Sequence, residues 1–167
     1  MLIYNQAYDT YHTIFRMLLL SSRLLKPIEV DKLRILDFYY VYPTELLDIK
    51  KPKGFKKYEK FLNPQINKYD RVMNPKRMFY KMNNIQLQAI KALVAYGYFD
   101  SNSFEKGIIK MTEKKITEEF KQVIENAIET NFNIVSLLTG PLSEIDLFGH
   151  LGLKERTGLI EFRYDTI

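Results

Sequence analysis

The stretch that decides the predicted fold is residues 83–112, NNIQLQAIKALVAYGYFDSNSFEKGIIKMT. Its apolar residues recur at steps of three and four as far as Tyr96, which predicts an amphipathic helix. Asn83, with Gln86 three residues later, has the pattern of a capping box at the start of that helix. Gly97 follows where a left-handed residue commonly ends a helix. The letters SNS then predict a polar turn and GIIKMT a short strand, so we expect a β-hairpin after the helix.

Two more helices are predicted upstream of this stretch. Asp9 is a suitable N-cap for a helix over residues 10–25, where apolar residues keep to one face. A second helix is predicted over 29–40, and Pro43 ends it. Three helices followed by a hairpin resemble a winged helix-turn-helix domain. We therefore expect a mainly α fold with a small β component and a winged-helix-like core, built as a single domain over residues 1–167.

The remainder of the chain predicts further helices and one more strand. A short amphipathic helix is expected over 55–62, a longer helix over 113–130 and another short one over 134–138. Residues 158–165 alternate charged and apolar side chains, as a half-exposed strand does. The charged residues of that strand would form a cross-strand salt ladder: Glu161, Arg163 and Asp165.

The positive charge of the chain is concentrated in residues 50–81, here called the basic island. The island holds eleven lysines and arginines against two acids, a net charge of +9, while the whole chain carries +5, so the other residues together carry −4. It lies between the second and third predicted helices, where a winged helix has only a short turn, and we therefore interpret it as an insertion. Nine of its cations are the candidate residues for contact with DNA or a partner: Lys50, Lys51, Lys53, Lys56, Lys57, Lys60, Arg71, Lys76 and Arg77.

Three interpretations of the basic island remain open. It can be a solvated loop, a docking surface for an acidic protein, or a contact with the phosphate backbone of double-stranded DNA. Its lysines outnumber its arginines nine to two, and lysine suits sequence-independent phosphate contact better than base readout. Any DNA binding is therefore expected to be non-specific and steeply salt-dependent. The aromatic residues at helical spacing within residues 55–62 are expected to pack on the body of the protein rather than to stack on bases.

Catalytic chemistry finds little support in the sequence. There are no cysteines and two histidines, His12 and His150, and each histidine is interpreted as a structural or surface residue. No phosphate-binding loop or zinc motif occurs. A small nuclease would have to use carboxylates such as Glu161 or Asp165. We predict no enzyme activity, no catalytic or metal-binding residue and no cofactor.

Neither a signal peptide nor a membrane span is predicted, because the chain lacks a basic start followed by an apolar run and has no long apolar stretch. We expect a soluble cytoplasmic protein that binds no membrane. One alternative is a stand-alone winged-helix transcriptional regulator that binds DNA as a symmetric dimer. Its recognition helix, NIQLQAIKALVAY, would carry only Lys91 as a cation, which equips it poorly to contact phosphates or guanines.

The two ends of the chain carry a resemblance to a known family. The stretches are YNQAYDTYHTIFRMLLL at 4–20, VDKLRILDFYYVYP at 30–43 and GHLGLKERTGLIEFRYD at 149–165. They resemble the small middle component of ABC-three-component systems, to which Lamassu-type anti-phage and anti-plasmid defence belongs. The resemblance implies a non-enzymatic adaptor with a winged-helix-like core that binds no metal or nucleotide. It implies two partners, an SMC-like or Rad50-like ATPase and an effector such as a nuclease, and it does not extend to the basic island.

Overall fold

The computed structural model describes residues 5–62 and 71–165, and in these ranges the chain is mainly helical. The α-helices are α1 (Thr10–Arg23), α2 (Val30–Val41), α3 (Lys56–Leu62), α4 (Pro75–Ala95), α5 (Ser101–Glu105), α6 (Glu118–Thr130), α7 (Phe132–Leu137) and α8 (Leu153–Thr157). Short 3-10 helices span Gln6–Tyr8 and Pro43–Asp48, and a π-helical turn spans Leu138–Leu142. The strands are β1 (Ile28–Glu29) and β2 (Ile108–Ile109).

Helix α1 lies at the centre of the helical packing, against α2 and α4. The side chain of Asp9 accepts a hydrogen bond from the backbone N–H of His12 at 2.9 Å, so the predicted N-cap is confirmed. Four consecutive residues of the helix, Met17–Leu20, are fully buried. Four residues in a row cover more than one full turn, so α1 is enclosed on all sides at this point.

Helix α4 begins nine residues earlier than the sequence predicted. Its N-cap is Asn74, whose side chain accepts from the backbone N–H of Arg77 at 2.9 Å, and Pro75 occupies the first helical position. Asn83 lies inside the helix, so its predicted role as N-cap is wrong. The Asn-Pro pair is the stronger start signal, because proline has no N–H to lose at that position. The last seven residues of the basic island are therefore the first two turns of α4.

The C-terminus of α4 is the one the sequence predicted. Gly97 has φ +80°, its N–H donates to the carbonyl of Val94 at 2.9 Å, and the N–H of Tyr98 donates to Leu93 at 2.9 Å. These two bonds form a Schellman motif, in which a left-handed glycine satisfies the last carbonyls of a helix. The chain leaves the helix here and turns Phe99 into the core.

The small sheet differs in detail from the predicted hairpin. Phe99 forms an isolated antiparallel bridge with Met111, and β2 pairs with β1 in the register Ile28 to Ile109. The predicted polar turn between the two arms is wrong, because its residues form helix α5. The cause is Asp100, whose carboxylate accepts from both the N–H and the hydroxyl of Ser103 and so caps a helical turn.

The strand predicted over 158–165 is wrong, since the described chain forms no strand there. Helix α8 precedes the segment and ends at Gly158, which has φ +65°. The charges that were expected to form a ladder have local partners instead. Glu161 accepts from Arg163 at 3.0 Å, and Asp165 accepts from Lys154 at 3.2 Å. Alternation predicts a strand only where an edge is available to pair with it, and no edge lies beside this segment in the described chain.

Among the described residues, no helix is both long enough and apolar enough to cross a membrane. The longest, α4, has 21 residues but carries charged or amide side chains in every turn except its last.

Candidate functional surface

The structure separates the candidate contact residues of the basic island into two groups. The first group consists of cations that already have an acidic partner. Those pairs are Lys50 with Glu155 at 2.8 Å, Lys51 with Glu59, Arg71 with Asp48, and Lys76 with Glu161 at 4.0 Å. Their charge is at least partly neutralised within the protein, so they contribute less to any field felt by a DNA phosphate.

Lys50 is held in place more firmly than an ordinary surface lysine. The hydrogen bond from its ammonium group is the main reason that the pKa of Glu155 lies below its usual value. The carboxylate also accepts from the backbone N–H of Leu151 at 2.8 Å. Further, the carbonyl of Lys50 accepts from the guanidinium of Arg156 at 2.9 Å. These bonds attach the beginning of the basic island to α8, which indicates a structural role for Lys50.

Arg71 likewise attaches the far side of the island to the body of the protein. It pairs with Asp48, and its Nε lies 3.9 Å from a carboxylate oxygen of Glu45. Glu45 is buried, and the same oxygen accepts from the backbone N–H of Val72 at 2.9 Å. The chain that leads into α4 is thus fixed to the 3-10 helix at Pro43–Asp48.

The second group consists of exposed cations that have no carboxylate partner in the described chain. Four of them lie in or just before α3, and we call them the lysine face: Lys53, Lys56, Lys57 and Lys60. The fifth is Arg77, which lies on α4. Lys68 lies outside the described residues, and Lys81, on α4, was not among the candidates.

Helix α3 explains why the lysine face points outward. Phe55, just before the helix, is buried, and Tyr58 and Leu62 are half-buried at the spacing of one helical face. These three residues pack onto the body of the protein, as the sequence predicted for the island's aromatic residues. The lysines at the intervening positions therefore lie on the solvent side. Phe61 departs from the prediction, because about half of its side chain stays exposed.

Arg77 and Lys76 lie in a different place from the lysine face. They line a cleft of about 580 Å³ between α4 and the segment at 159–161, together with Phe79 and Tyr80. No described residue of α3 lines this cleft. The structure thus brings four of the nine candidate residues together on one face and places the other five elsewhere or in ion pairs.

Beside the lysine face is an apolar groove of about 540 Å³, between α3 and α7. Tyr58, Phe61 and Leu62 of α3 form one side of it, and Phe132 and Ile134 of α7 form the other. Phe61 is 48% exposed and Phe132 is 62% exposed. The sequence showed the aromatic residues but not this groove, because α3 and α7 are seventy residues apart in the chain.

A buried polar network was missed entirely at the level of sequence. Arg16 of α1 is 3% exposed, and its guanidinium donates to both carboxylate oxygens of Asp37 in α2, at 2.6 and 3.2 Å. The amide of Gln86 in α4 donates to Asp37 at 2.9 Å and to the carbonyl of Arg34 at 3.1 Å. One carboxylate therefore links three helices. The sequence did contain a sign of this network. Arg16 lies inside the apolar run IFRMLLL, and Asp37 lies inside the apolar run RILDFYY.

The remaining chemical candidates do not assemble into a site. His12 lies on α1, and Nδ1 of His150 lies 3.6 Å from Glu155 on the surface. Glu161 and Asp165, the carboxylates a nuclease would need, bind Arg163 and Lys154 respectively. In the part of the chain that the structure describes, no group of three or more histidines, cysteines or acids could hold a metal ion.

Comparison with known proteins completes this picture. The model of the family described as ABC-three component (ABC-3C) system Middle Component 5 matches residues 2–165. The chain belongs to this family. Membership indicates a role in a defence system, and it implies that the other subunits of that system are partners of this middle component. Searches of curated proteins and of solved structures found no match. The match includes the basic island, which the resemblance drawn from the sequence did not.

Proposed function

We propose that this middle component is a non-enzymatic, cytoplasmic adaptor that joins an SMC-like or Rad50-like ATPase to an effector, as in Lamassu-type defence. Its family supports the proposal, since a component of a three-component system implies other subunits as partners. The exposed apolar side chains beside α3 also support it, because contiguous exposed aromatic surface is typical of protein interfaces. Co-expression with the subunits encoded beside it tests the proposal. A middle component that elutes alone from such a preparation would contradict it.

We further propose that α1, β1, α2, α4 and the paired arms around α5 form a winged-helix-like core. The order helix, strand, helix, helix and antiparallel arms supports this interpretation, with α5 at the position of the wing. The segment between α2 and α4, which contains α3, is then an insertion into that core. A determined structure of a family member whose helices α1, α2 and α4 superpose poorly on a winged helix would contradict it.

The lysine face is the proposed contact with double-stranded DNA. The observation that carries this part is that its lysines are exposed and have no carboxylate partner in the described chain. Four ammonium groups on one exposed segment attract phosphates without reading bases. Changing Lys53, Lys56, Lys57 and Lys60 together to Glu should weaken binding of the full chain to mixed-sequence duplexes uniformly. It should also reduce the slope of log affinity against log salt by about 3 to 4.

The matched control changes four exposed lysines elsewhere, Lys106, Lys110, Lys115 and Lys121, to Glu, with the same change in net charge. If both variants lose affinity equally, the effect is one of overall charge and the lysine face is not a specific contact. If the first variant keeps its DNA affinity but no longer assembles with the partner subunits, the lysines dock a protein instead.

A second candidate function is favoured by the true start of α4. Because the helix begins at Pro75, its first two turns carry Lys76, Arg77 and Lys81 beside an exposed Tyr80, and the predicted helix had only Lys91. Such a helix is better equipped to read DNA as a stand-alone regulator. This function predicts a symmetric dimer and a preferred palindromic site. A binding selection from random duplexes that enriches no sequence would count against it.

A further inference from the structure

The apolar groove between α3 and α7 has charge on one rim, and this is the feature that identifies its occupant. The rings of Tyr58 and Phe61 form part of the groove wall. The ammonium group of Lys57 lies 4.9 Å from the centre of the Tyr58 ring, and that of Lys60 lies 4.9 Å from the centre of the Phe61 ring. Two lysines of the lysine face therefore contact the same rings that a ligand in the groove would contact.

We propose that this groove binds an acidic amphipathic segment of a partner protein. Apolar side chains of that segment enter the groove between Phe61 and Phe132, and its Asp or Glu side chains pair with Lys57 and Lys60. In the assembled complex the proposed DNA contact is then left to Lys53 and Lys56, whereas in the free chain all four lysines are exposed. The inference rests on the proposed adaptor function and specifies the chemistry of one partner. A groove that receives one face of a helix is a common mode of peptide recognition.

The exposure of the groove residues supports a protein occupant over DNA. Phe132 is 62% exposed and Phe61 is 48% exposed. A partner that covered these two phenyl rings would remove their apolar surface from water, which is favourable. Phosphate backbone contacts would use the lysines but leave both rings in water. Burial of aromatic side chains at the centre, with charged residues at the rim, is the usual anatomy of a protein interface.

The charge of the groove also decides between acidic and basic occupants. Lys57 and Lys60 contact aromatic rings but have no carboxylate partner in the described chain, so an incoming carboxylate has no described acid to displace. Glu129, at the end of α6, is the one acid among the described lining residues, and it does not lie on α3. A segment with its acids toward α3 is therefore complementary, and charge pairs of this kind set orientation and association rate.

The test uses the full chain and short fluorescein-labelled peptides that tile the other subunits of its system. We expect one kind of peptide to bind, as measured by fluorescence anisotropy: a peptide that contains both acidic residues (Asp or Glu) and large apolar residues (Leu or Phe). This peptide is called the acidic tile. Phe132→Ser should weaken that tile about tenfold or more, because aromatic anchors dominate such interfaces. The matched control is Tyr11→Ser, since Tyr11 is an exposed aromatic residue on α1 that does not line the groove. The control should keep full affinity.

Reversal of the charges on both sides tests whether Lys57 and Lys60 pair with acidic residues of the bound segment. Lys57→Glu with Lys60→Glu should weaken the acidic tile, and a tile with its acids changed to Lys should bind this variant better than it binds the unmodified chain. Equal binding of both tiles to both proteins would overturn the proposal, as would a basic or uncharged tile that binds best. If Phe132→Ser instead abolishes self-association or DNA binding, the occupant is a second copy or a nucleic acid, and the proposal is wrong.

The adaptor function and the groove can fail separately. If the intact subunits assemble with the Phe132→Ser variant as well as with the unmodified chain, the groove proposal fails and the adaptor function stands. If no subunit assembles with the unmodified chain, the adaptor function itself fails. Circular dichroism and a melting curve for each variant show that it remains folded.

Discussion

Arg16 and the lysine face show two opposite uses of positive charge in one protein. The guanidinium of Arg16 is 3% exposed, and its donors reach Asp37, the hydroxyl of Thr13 and the carbonyl of Gln6. The lysines of α3 are exposed and have no carboxylate partner in the described chain. A buried charge must be paired, so it specifies how helices meet, whereas an exposed charge stays available to a partner. Burial decides which of these two uses a charge has.

The largest expected effect is on the buried side of this comparison. Asp37→Ala removes the carboxylate and leaves the Arg16 guanidinium buried without its counter-charge, so the free energy of unfolding should fall by about 3–5 kcal/mol. A urea titration followed by circular dichroism measures it. The control is Glu125→Ala, because Glu125 pairs with Arg23 and both side chains are 42% exposed, so its loss should cost less than about 1 kcal/mol. Equal losses would show that the buried network has no special role.

Gln86 gives the next largest effect. Its amide nitrogen donates to Asp37 and to the carbonyl of Arg34, and its amide oxygen accepts from the Nε of Arg34 at 3.2 Å. Gln86→Ala should therefore lower the free energy of unfolding by about 1–3 kcal/mol, because it leaves these groups unsatisfied in the core. The neighbouring exposed residue Gln88 is the matched control, and Gln88→Ala should be close to neutral. A neutral Gln86→Ala would mean that the core relaxes around the missing amide.

The lysine face should contribute little to stability. Changing Lys53, Lys56, Lys57 and Lys60 to Gln should alter the free energy of unfolding by less than about 0.5 kcal/mol per residue, since none of them pairs with a carboxylate in the described chain. Thermal melts at low salt measure it. A large loss of stability would show that these lysines hold the fold, and the case for a free contact surface would then weaken.

The smallest expected effect concerns an exposed carboxylate. The hydrogen bond from Arg163 is the main cause that lowers the pKa of Glu161 from 4.5 to about 2. Because the folded pKa is depressed, any stabilisation is present above the ordinary value and is lost as the pH falls toward 2. Carbon-detected NMR titration of the Glu161 carboxylate should give a low midpoint in the unmodified chain and a midpoint near the ordinary value in Arg163→Ala. An unchanged midpoint in the variant would contradict the assignment.

The elements that the sequence predicted correctly are those with a local cause. Asp9 caps α1 and Gly97 ends α4, because both signals operate within one turn of helix. The wrong predictions have two causes. In one case two local helix-start signals competed, and in the other a predicted strand had no neighbouring strand to pair with. Asn74 outcompeted Asn83 as the start of α4, and the alternation at 158–165 had no strand beside it. The single-domain prediction for residues 1–167 stays a prediction.

The candidate surface was predictable in part. The charge of the basic island and the inward direction of Phe55 follow from composition and helical spacing. Which cations have no carboxylate partner in the described chain does not follow from the sequence, because Lys50 pairs with Glu155, 105 residues away, and Arg71 pairs with Asp48, 23 residues away. The groove between Phe61 and Phe132 could not be predicted either, because its two sides come from segments that are far apart in the sequence.

The sequence by itself determined the helical character of this middle component, its two best helix caps, the location of its charge and the family resemblance that the family match later confirmed at the level of the ABC-three-component systems. Only the tertiary structure decided which charges are neutralised, where Arg16 finds its carboxylate and which aromatic rings face solvent. The physical reason is that capping and amphipathic spacing act over a few residues, whereas ion pairing and burial depend on chain segments that meet only when the protein folds.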